Sequence, residues 1–250
     1  MSRSILITGA ASGIGAATAR RLAGPGTRLL LHTRKSLEAL DSVAKAAKEA
    51  GAEVETAIAD LCKAGAGGEL VEQAVAAFGT IDQIIANAGY AQRGQVGDVD
   101  RDDLDASLAA MPGALFDLTV AAKSHLIGSD HGSLVVVSSF VAQVFDKATP
   151  FAVTAAAKAA VEALVKTIAM ELAENNVTVN AVAPGFTKKD DTGHSALGQE
   201  SWVRAAKRTP TGRLSEPDDV AALIAFLLSG DARQITGQVI RVDGGLSLGI

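Results

Sequence analysis

The sequence predicts an α/β fold: one doubly wound parallel sheet with helices on both faces. Three observations carry that expectation. Short β-branched or Leu-rich runs alternate with longer Ala-rich helical patterns along all 250 residues, the order that generates βαβ units. The apolar runs are near-continuous, as in strands buried on both sides. A turn containing Gly9, Gly13 and Gly15 stands between the first apolar run and the first helical pattern. There a backbone can turn sharply and a helix N-terminus can meet negative charge.

Taken in order, Ile5-Leu6-Ile7 opens a strand at 5–8, and the glycine turn leads into a helix at 14–22. A Leu-rich strand at 28–32 precedes an Ala-rich helix at 36–50, and a strand at 53–58 precedes a helix at 68–78. Strands at 83–86 and 134–138 flank a long helical pattern at 102–126. A second long helix at 151–174 leads to a strand at 178–182; helices at 201–207 and 217–228 precede a last strand at 239–242. No Pro/Gly/Ser-rich linker and no internal repeat divides the chain, so residues 1–250 are expected to form one domain. The polar segment 185–206, with Lys188, Lys189, Asp190, Asp191, Gly193, His194 and Gly198, breaks the rhythm. It reads as a lid spanning about 186–208 or as a plain surface loop.

Composition narrows the function. A net charge of −5 argues against a nucleic-acid footprint, and 48% hydrophobic residues suit a packed domain. The single cysteine, Cys62, excludes an internal disulfide and a thiolate zinc cluster, and a reducing compartment follows as the expectation. The histidines have no ligand spacing, so no metal is expected. Met-Ser-Arg leads straight into a strand without a signal-peptide pattern, and no run reaches 18 uninterrupted apolar residues. A cytoplasmic protein without a membrane span is expected.

The motifs point further. Thr8-Gly9-Ala10-Ala11-Ser12-Gly13-Ile14-Gly15 has T-G-x-x-x-G-x-G spacing; Asp60-Leu61 follows the third strand and Asn87-Ala88-Gly89 the fourth. Val135–Ser139, Asn180-Ala181-Val182-Ala183-Pro184-Gly185, Gly212-Arg213-Leu214, Glu216-Pro217 and Val242-Asp243-Gly244-Gly245 complete the series. In this order the motifs resemble the short-chain dehydrogenases/reductases over almost the whole chain, which implies a Rossmann-type nicotinamide nucleotide site. By that resemblance, Gly9, Ser12, Gly13, Ile14 and Gly15 cradle the pyrophosphate. Asp60 and Leu61 meet the adenine, Asn87, Ala88 and Gly89 support the sheet, and Pro184, Gly185 and Thr187 pass the nicotinamide.

Cofactor choice has a physical reading. A carboxylate ending the second strand would bind the ribose 2′-hydroxyl of NAD and repel a 2′-phosphate. The strand ends instead in His32-Thr33-Arg34-Lys35, with no acid before Glu38. Thr33, Arg34 and Lys35 suit a 2′-phosphate, so NADP(H) is preferred and NAD(H) is possible. Ser12 counts against this, because NADP-preferring relatives often carry a basic residue there.

The resemblance also implies a Ser, a Tyr, a Lys four residues after it, and an Asn one helix earlier. Ser139 matches the serine, with Ser138 as its one-residue alternative, and Lys158 matches the lysine. Thr154 occupies the tyrosine's place, and Ala110 that of the asparagine. The stretch from serine to lysine is two residues longer than the family pattern. An aliphatic hydroxyl is shorter and far less acidic than a phenol, so Thr154 is no equivalent proton donor. Tyr90, Asp146 or Lys147, His194, or Lys158 through water remain as substitutes, each with a surface or packing role as its alternative. Phe140, Phe145, Phe151 and Trp202 can line an apolar pocket or simply pack. The readings are an NADP(H)-dependent oxidoreductase for a small carbonyl or alcohol, a nucleotide-binding protein without redox turnover, and a non-redox enzyme. The Ala-rich helices and the resemblance imply a homo-oligomer, dimer or tetramer.

Overall fold

The computed structural model describes residues 2–147, 150–188 and 199–249. Strands β1 (Arg3–Ile7), β2 (Thr27–Thr33), β3 (Glu53–Ile58), β4 (Gln83–Ala86), β5 (Ser133–Val137), β6 (Thr178–Pro184) and β7 (Val239–Val242) form one sheet. Its order is β3-β2-β1-β4-β5-β6-β7, and every pairing is parallel. Strand order reverses between β1 and β4, so a crevice opens at the C-terminal ends of these strands.

Side-chain alternation divides the core. Leu6, Leu30, Ile84, Leu134, Val136 and Val179 face helices α3 (Ala66–Phe78), α5 (Ala114–Ile127) and α6 (Ala152–Leu172). Ile5, Ile7, Leu29, Leu31, Val135 and Val182 face α1 (Gly13–Leu22), α2 (Leu37–Glu49) and α8 (Pro217–Leu227). Both faces are apolar because both are covered, which is why the strand sequences lack polar alternation.

The strands expected at 53–58, 83–86 and 239–242 match their observed bounds, and the others shift by one or two residues. The long helix expected at 102–126 is three pieces: α4 (Arg101–Leu108), a π-helical turn (Ala109–Gly113) and α5. Pro112 lies inside that turn, and the Ala114 amide reaches back to the Ala109 carbonyl. Proline has no N–H to continue the α ladder, so the backbone takes up an extra residue there. The Arg101–Ile127 segment is long and apolar enough to cross a membrane by length and composition alone. It packs instead against the sheet's helical layer: an added Cβ on Gly67 of α3 would lie 2.8 Å from the Ala114 carbonyl oxygen.

Candidate nucleotide and substrate site

A cavity of about 620 Å³ occupies the crevice. The glycine turn forms one wall. Gly9 and Gly13 have φ of +67° and +54°, the region where a side chain is strained. A Cβ on Gly13 would meet nothing within 4 Å, so the space beside its Cα is open. Ser12, Gly13 and Ile14 line the cavity at the start of α1, with the positive end of its dipole directed there. Gly15 does not line it. A Cβ on Gly15 would sit 2.2 Å from the Gly9 carbonyl oxygen and 2.6 Å from Asn87 Nδ2, so this glycine lets α1 close against the turn.

Asn87 and Thr8 fasten the turn to β4. Asn87 Nδ2 donates to the Thr8 and Gly9 carbonyls at 2.9 and 3.0 Å. Thr8 Oγ1 accepts from the backbone amides of Asn87 and Ala88, each at 3.0 Å.

His32 has a role that sequence reading missed. It is buried and lines the cavity; its Nδ1 accepts from the Gly9 amide at 3.3 Å, and its Nε2 stands 3.0 Å from the Ala59 carbonyl. Since Nδ1 accepts, Nε2 carries the proton and donates, which fixes a neutral tautomer. Burial holds the imidazole below its ordinary pKa, against the opposing pull of the Ala59 carbonyl. Protonation would set N–H against N–H at Gly9. A folded pKa below the unfolded value of 6.5 makes the unfolded chain the better proton binder. Stability contributed by this group is therefore present above pH 6.5 and lost as pH falls toward the folded pKa. Thermal melts and nucleotide titrations should both weaken over that range, and His32→Leu should remove this part of the pH dependence. Only a histidine's place at a strand end was visible in the sequence.

Thr33, Arg34, Asp60, Leu61 and Cys62 line the far end of the cavity. Arg34 is exposed, and no acidic residue ends β2. Lys35 stands outside the lining, whereas Thr33, Arg34 and Ser36 belong to it. The Cys62 amide donates to Asp60 Oδ1 at 3.1 Å. That bond, helped by the charges of Arg34 and Lys63, keeps the Asp60 carboxyl below the usual carboxylate range.

At the opposite end Lys158 is buried, and its Nζ donates to the Val137 carbonyl at 2.6 Å. Desolvation lowers its pKa to about 8, with the Glu162 carboxylate opposing the shift. Glu162 lies one helical turn on and accepts from Ser138 Oγ at 2.7 Å and from Gln143 Nε2 at 2.9 Å. Ser138 is thereby committed. Ser139 lines the cavity with a hydroxyl that accepts only a long bond from the Val141 amide, 3.4 Å. Thr154 also lines it, but its Oγ1 accepts from the Gln92 amide at 2.9 Å and lies 3.4 Å from the Gln92 carbonyl. Its hydroxyl is used to hold the segment after β4. Ala110, in the π-helical turn, contributes only a methyl group to the wall.

Ala88, Gly89, Pro184, Gly185 and Thr187 complete the lining named from sequence. Gly185 permits a close approach, since its Cβ would fall 2.8 Å from Asp243 Cα. Tyr90 borders the cavity, with Ser107 Oγ 3.3 Å from its oxygen. Asp146 pairs instead with Arg208 at 2.6 Å, and neither it nor Lys147 lines the cavity. Phe140, Phe151 and Trp202 do, whereas Phe145 is exposed. Phe186 joins them without having been singled out. Of the expected lid, Phe186, Thr187, Lys188 and Trp202 border the cavity; His194 and the rest of 189–198 lie outside the described residues.

A family profile described as enoyl-(acyl carrier protein) reductase matches residues 9–247. The chain belongs to the short-chain dehydrogenase/reductase family. It is 37% identical to a 3-oxoacyl-[acyl-carrier-protein] reductase of Thermotoga maritima over 242 residues, 96% of each chain. Among solved structures, acetoin dehydrogenase of Salmonella typhimurium superposes with TM-score 0.89 at 27% identity, covering 100% of this chain and 98% of that one. A short-chain dehydrogenase of Burkholderia cenocepacia in complex with NADP gives TM-score 0.89 at 32% identity, covering 98% of each. The protein is thus a nicotinamide-dependent oxidoreductase of the short-chain dehydrogenase/reductase family. Its cavity fits the nucleotide: Ser12, Gly13 and Ile14 line it at the N-terminus of α1, where a pyrophosphate would meet the helix dipole, and Lys158 supplies a buried cation at the far end.

Proposed function

We propose that this short-chain dehydrogenase/reductase is an NADP(H)-dependent enzyme for a small carbonyl or alcohol substrate, working without the usual tyrosine. One observation carries the reading: a single cavity joins the glycine turn to Ser139 and Lys158. The bound nicotinamide supplies or takes up hydride. Ser139 offers a hydroxyl to the substrate oxygen, and the Lys158 ammonium stabilises negative charge developing there.

Arg34 and the absence of an acid at the end of β2 support NADP(H). Arg34→Asp is expected to weaken NADPH about 10- to 100-fold while leaving NADH nearly unchanged, as measured by calorimetric titration. Equal weakening of both nucleotides would count against 2′-phosphate recognition.

The engaged hydroxyl of Thr154 favours a second reading, a nucleotide-binding protein without ordinary turnover. NADPH oxidation across ketones, aldehydes and quinones, beside Thr154→Tyr, separates the two. Turnover confined to the variant supports the second reading, whereas turnover lost in Lys158→Ala supports the first.

Assembly as a dimer or tetramer accords with exposed Phe116 and Val120 on α5 and Met170 on α6. Light scattering tests it.

A further inference from the structure

The chain holds only seven Phe, one Tyr and one Trp. Five of these aromatic residues, Tyr90, Phe140, Phe151, Phe186 and Trp202, line the Lys158 end of one cavity. They come from separate segments: after β4, after β5, before α6, after β6, and from α7 (Gln199–Arg208). The Phe140 and Phe186 rings lie 4.7 Å apart and tilted by 60°. Both pack with Trp202 in a small cluster around Ala205, Leu214 and Leu246, so the wall is supported from behind. At the same end Thr154 and Ala110 present short side chains where the family pattern has a phenol and a carboxamide. The acidic residue of the lining, Asp60, lies at the other end beside Arg34.

Resting on the oxidoreductase reading above, we propose that the substrate is a neutral planar quinone, stacked among these rings and reduced by the bound nicotinamide nucleotide. Flat π-faced ligands gain from offset and edge contacts with such walls. The chemistry agrees with the missing phenol. Reducing a simple ketone leaves an alkoxide about as basic as hydroxide, far above any protein acid. Reducing a quinone leaves a phenolate whose conjugate acid lies near about 10. That oxygen needs no strong acid within reach. In the balanced step, one C–H bond of the reduced nucleotide breaks and hydride, with its electron pair, passes to one quinone oxygen, forming its O–H bond as the ring becomes aromatic. The second oxygen becomes a phenolate facing Lys158, and one proton from solvent gives the hydroquinone. The nucleotide is oxidised by two electrons and the quinone reduced by two.

The chain's single tryptophan, Trp202, supplies a readout independent of turnover. With NADP+ bound, 1,4-naphthoquinone should quench its fluorescence saturably, and cyclohexanone at equal concentration should not. Phe186→Ala should raise the naphthoquinone Kd about tenfold, with Phe186→Leu intermediate and NADPH affinity unchanged in both. Protein-dependent NADPH oxidation should run at least roughly tenfold faster with naphthoquinone than with cyclohexanone. Thr154→Tyr, which refills the vacant volume, should weaken naphthoquinone and raise cyclohexanone turnover. Normal NADPH binding without saturable quenching, quenching indifferent to Phe186, or faster reduction of cyclohexanone would overturn the quinone assignment alone. Failure to bind either nicotinamide nucleotide would overturn the functional reading and this inference together.

Discussion

Lys158→Met is expected to lower kcat/KM for hydride transfer by about 10²–10⁴-fold while the protein still folds. The lysine is buried at the reacting end of the cavity, and with the Thr154 hydroxyl tied to Gln92 it is the buried cation placed to meet developing negative charge. The same variant separates two opposed pH effects. Reduction by the natural chain should decline as pH rises through about 8, where the ammonium is lost. Stability should move the other way. The folded pKa lies below the ordinary lysine value of 10.5, so between about 8 and 10.5 the unfolded chain holds more protons and folding gains with rising pH. Stopped-flow rates and denaturant melts across that window should diverge in the natural chain, and both trends should flatten in Lys158→Met. Rates and stability that both stay flat across that window would mean that Lys158 titrates as an exposed lysine does.

Gly15→Ala should be a severely damaging single-methyl change. Its Cβ would stand 2.2 Å from the Gly9 carbonyl oxygen, 2.6 Å from Asn87 Nδ2 and 2.9 Å from the Gly9 carbonyl carbon. Two of those atoms are backbone and the third is held by two hydrogen bonds, so relief requires α1 to move off the turn. Overpacking of this kind costs typically about 1–3 kcal/mol, and a displaced turn also loses its Asn87 bonds at about 1 kcal/mol each. A lower melting temperature together with weakened binding of both nucleotides is expected. Gly13→Ala is the informative control: its methyl would enter open space, so the cost there is that of φ +54° and of crowding the bound phosphates. If Gly15→Ala melts like the natural chain, α1 does not pack on the turn as described.

The sheet was legible because burial on both faces writes a continuous apolar run, and the glycine turn because close backbone approach demands glycine. Legibility failed where function depends on partners distant in sequence. Ser138 and Ser139 are chemically alike in the chain, and only Glu162, 24 residues from Ser138, distinguishes them by occupying one hydroxyl. Thr154 reads as a failed phenol until the Gln92 backbone, 62 residues away, accounts for its hydroxyl. His32 carries no local signal at all, since its meaning comes from Gly9 and Ala59 on either side. Phe186 looked like one apolar residue in a polar stretch until its ring met Phe140. The break at Pro112 was readable in principle, because a proline in a helical pattern forbids the regular ladder.

The Lys158 and Glu162 side chains set opposite charges one turn apart on α6, both beneath the surface. Viewed from a distance such a pair is a dipole, and its influence fades quickly with separation. This pair therefore casts little net field into solvent and adds little electrostatic steering at its end of the cavity. Association rates for uncharged reactants should accordingly be insensitive to ionic strength, and selection falls to shape after contact.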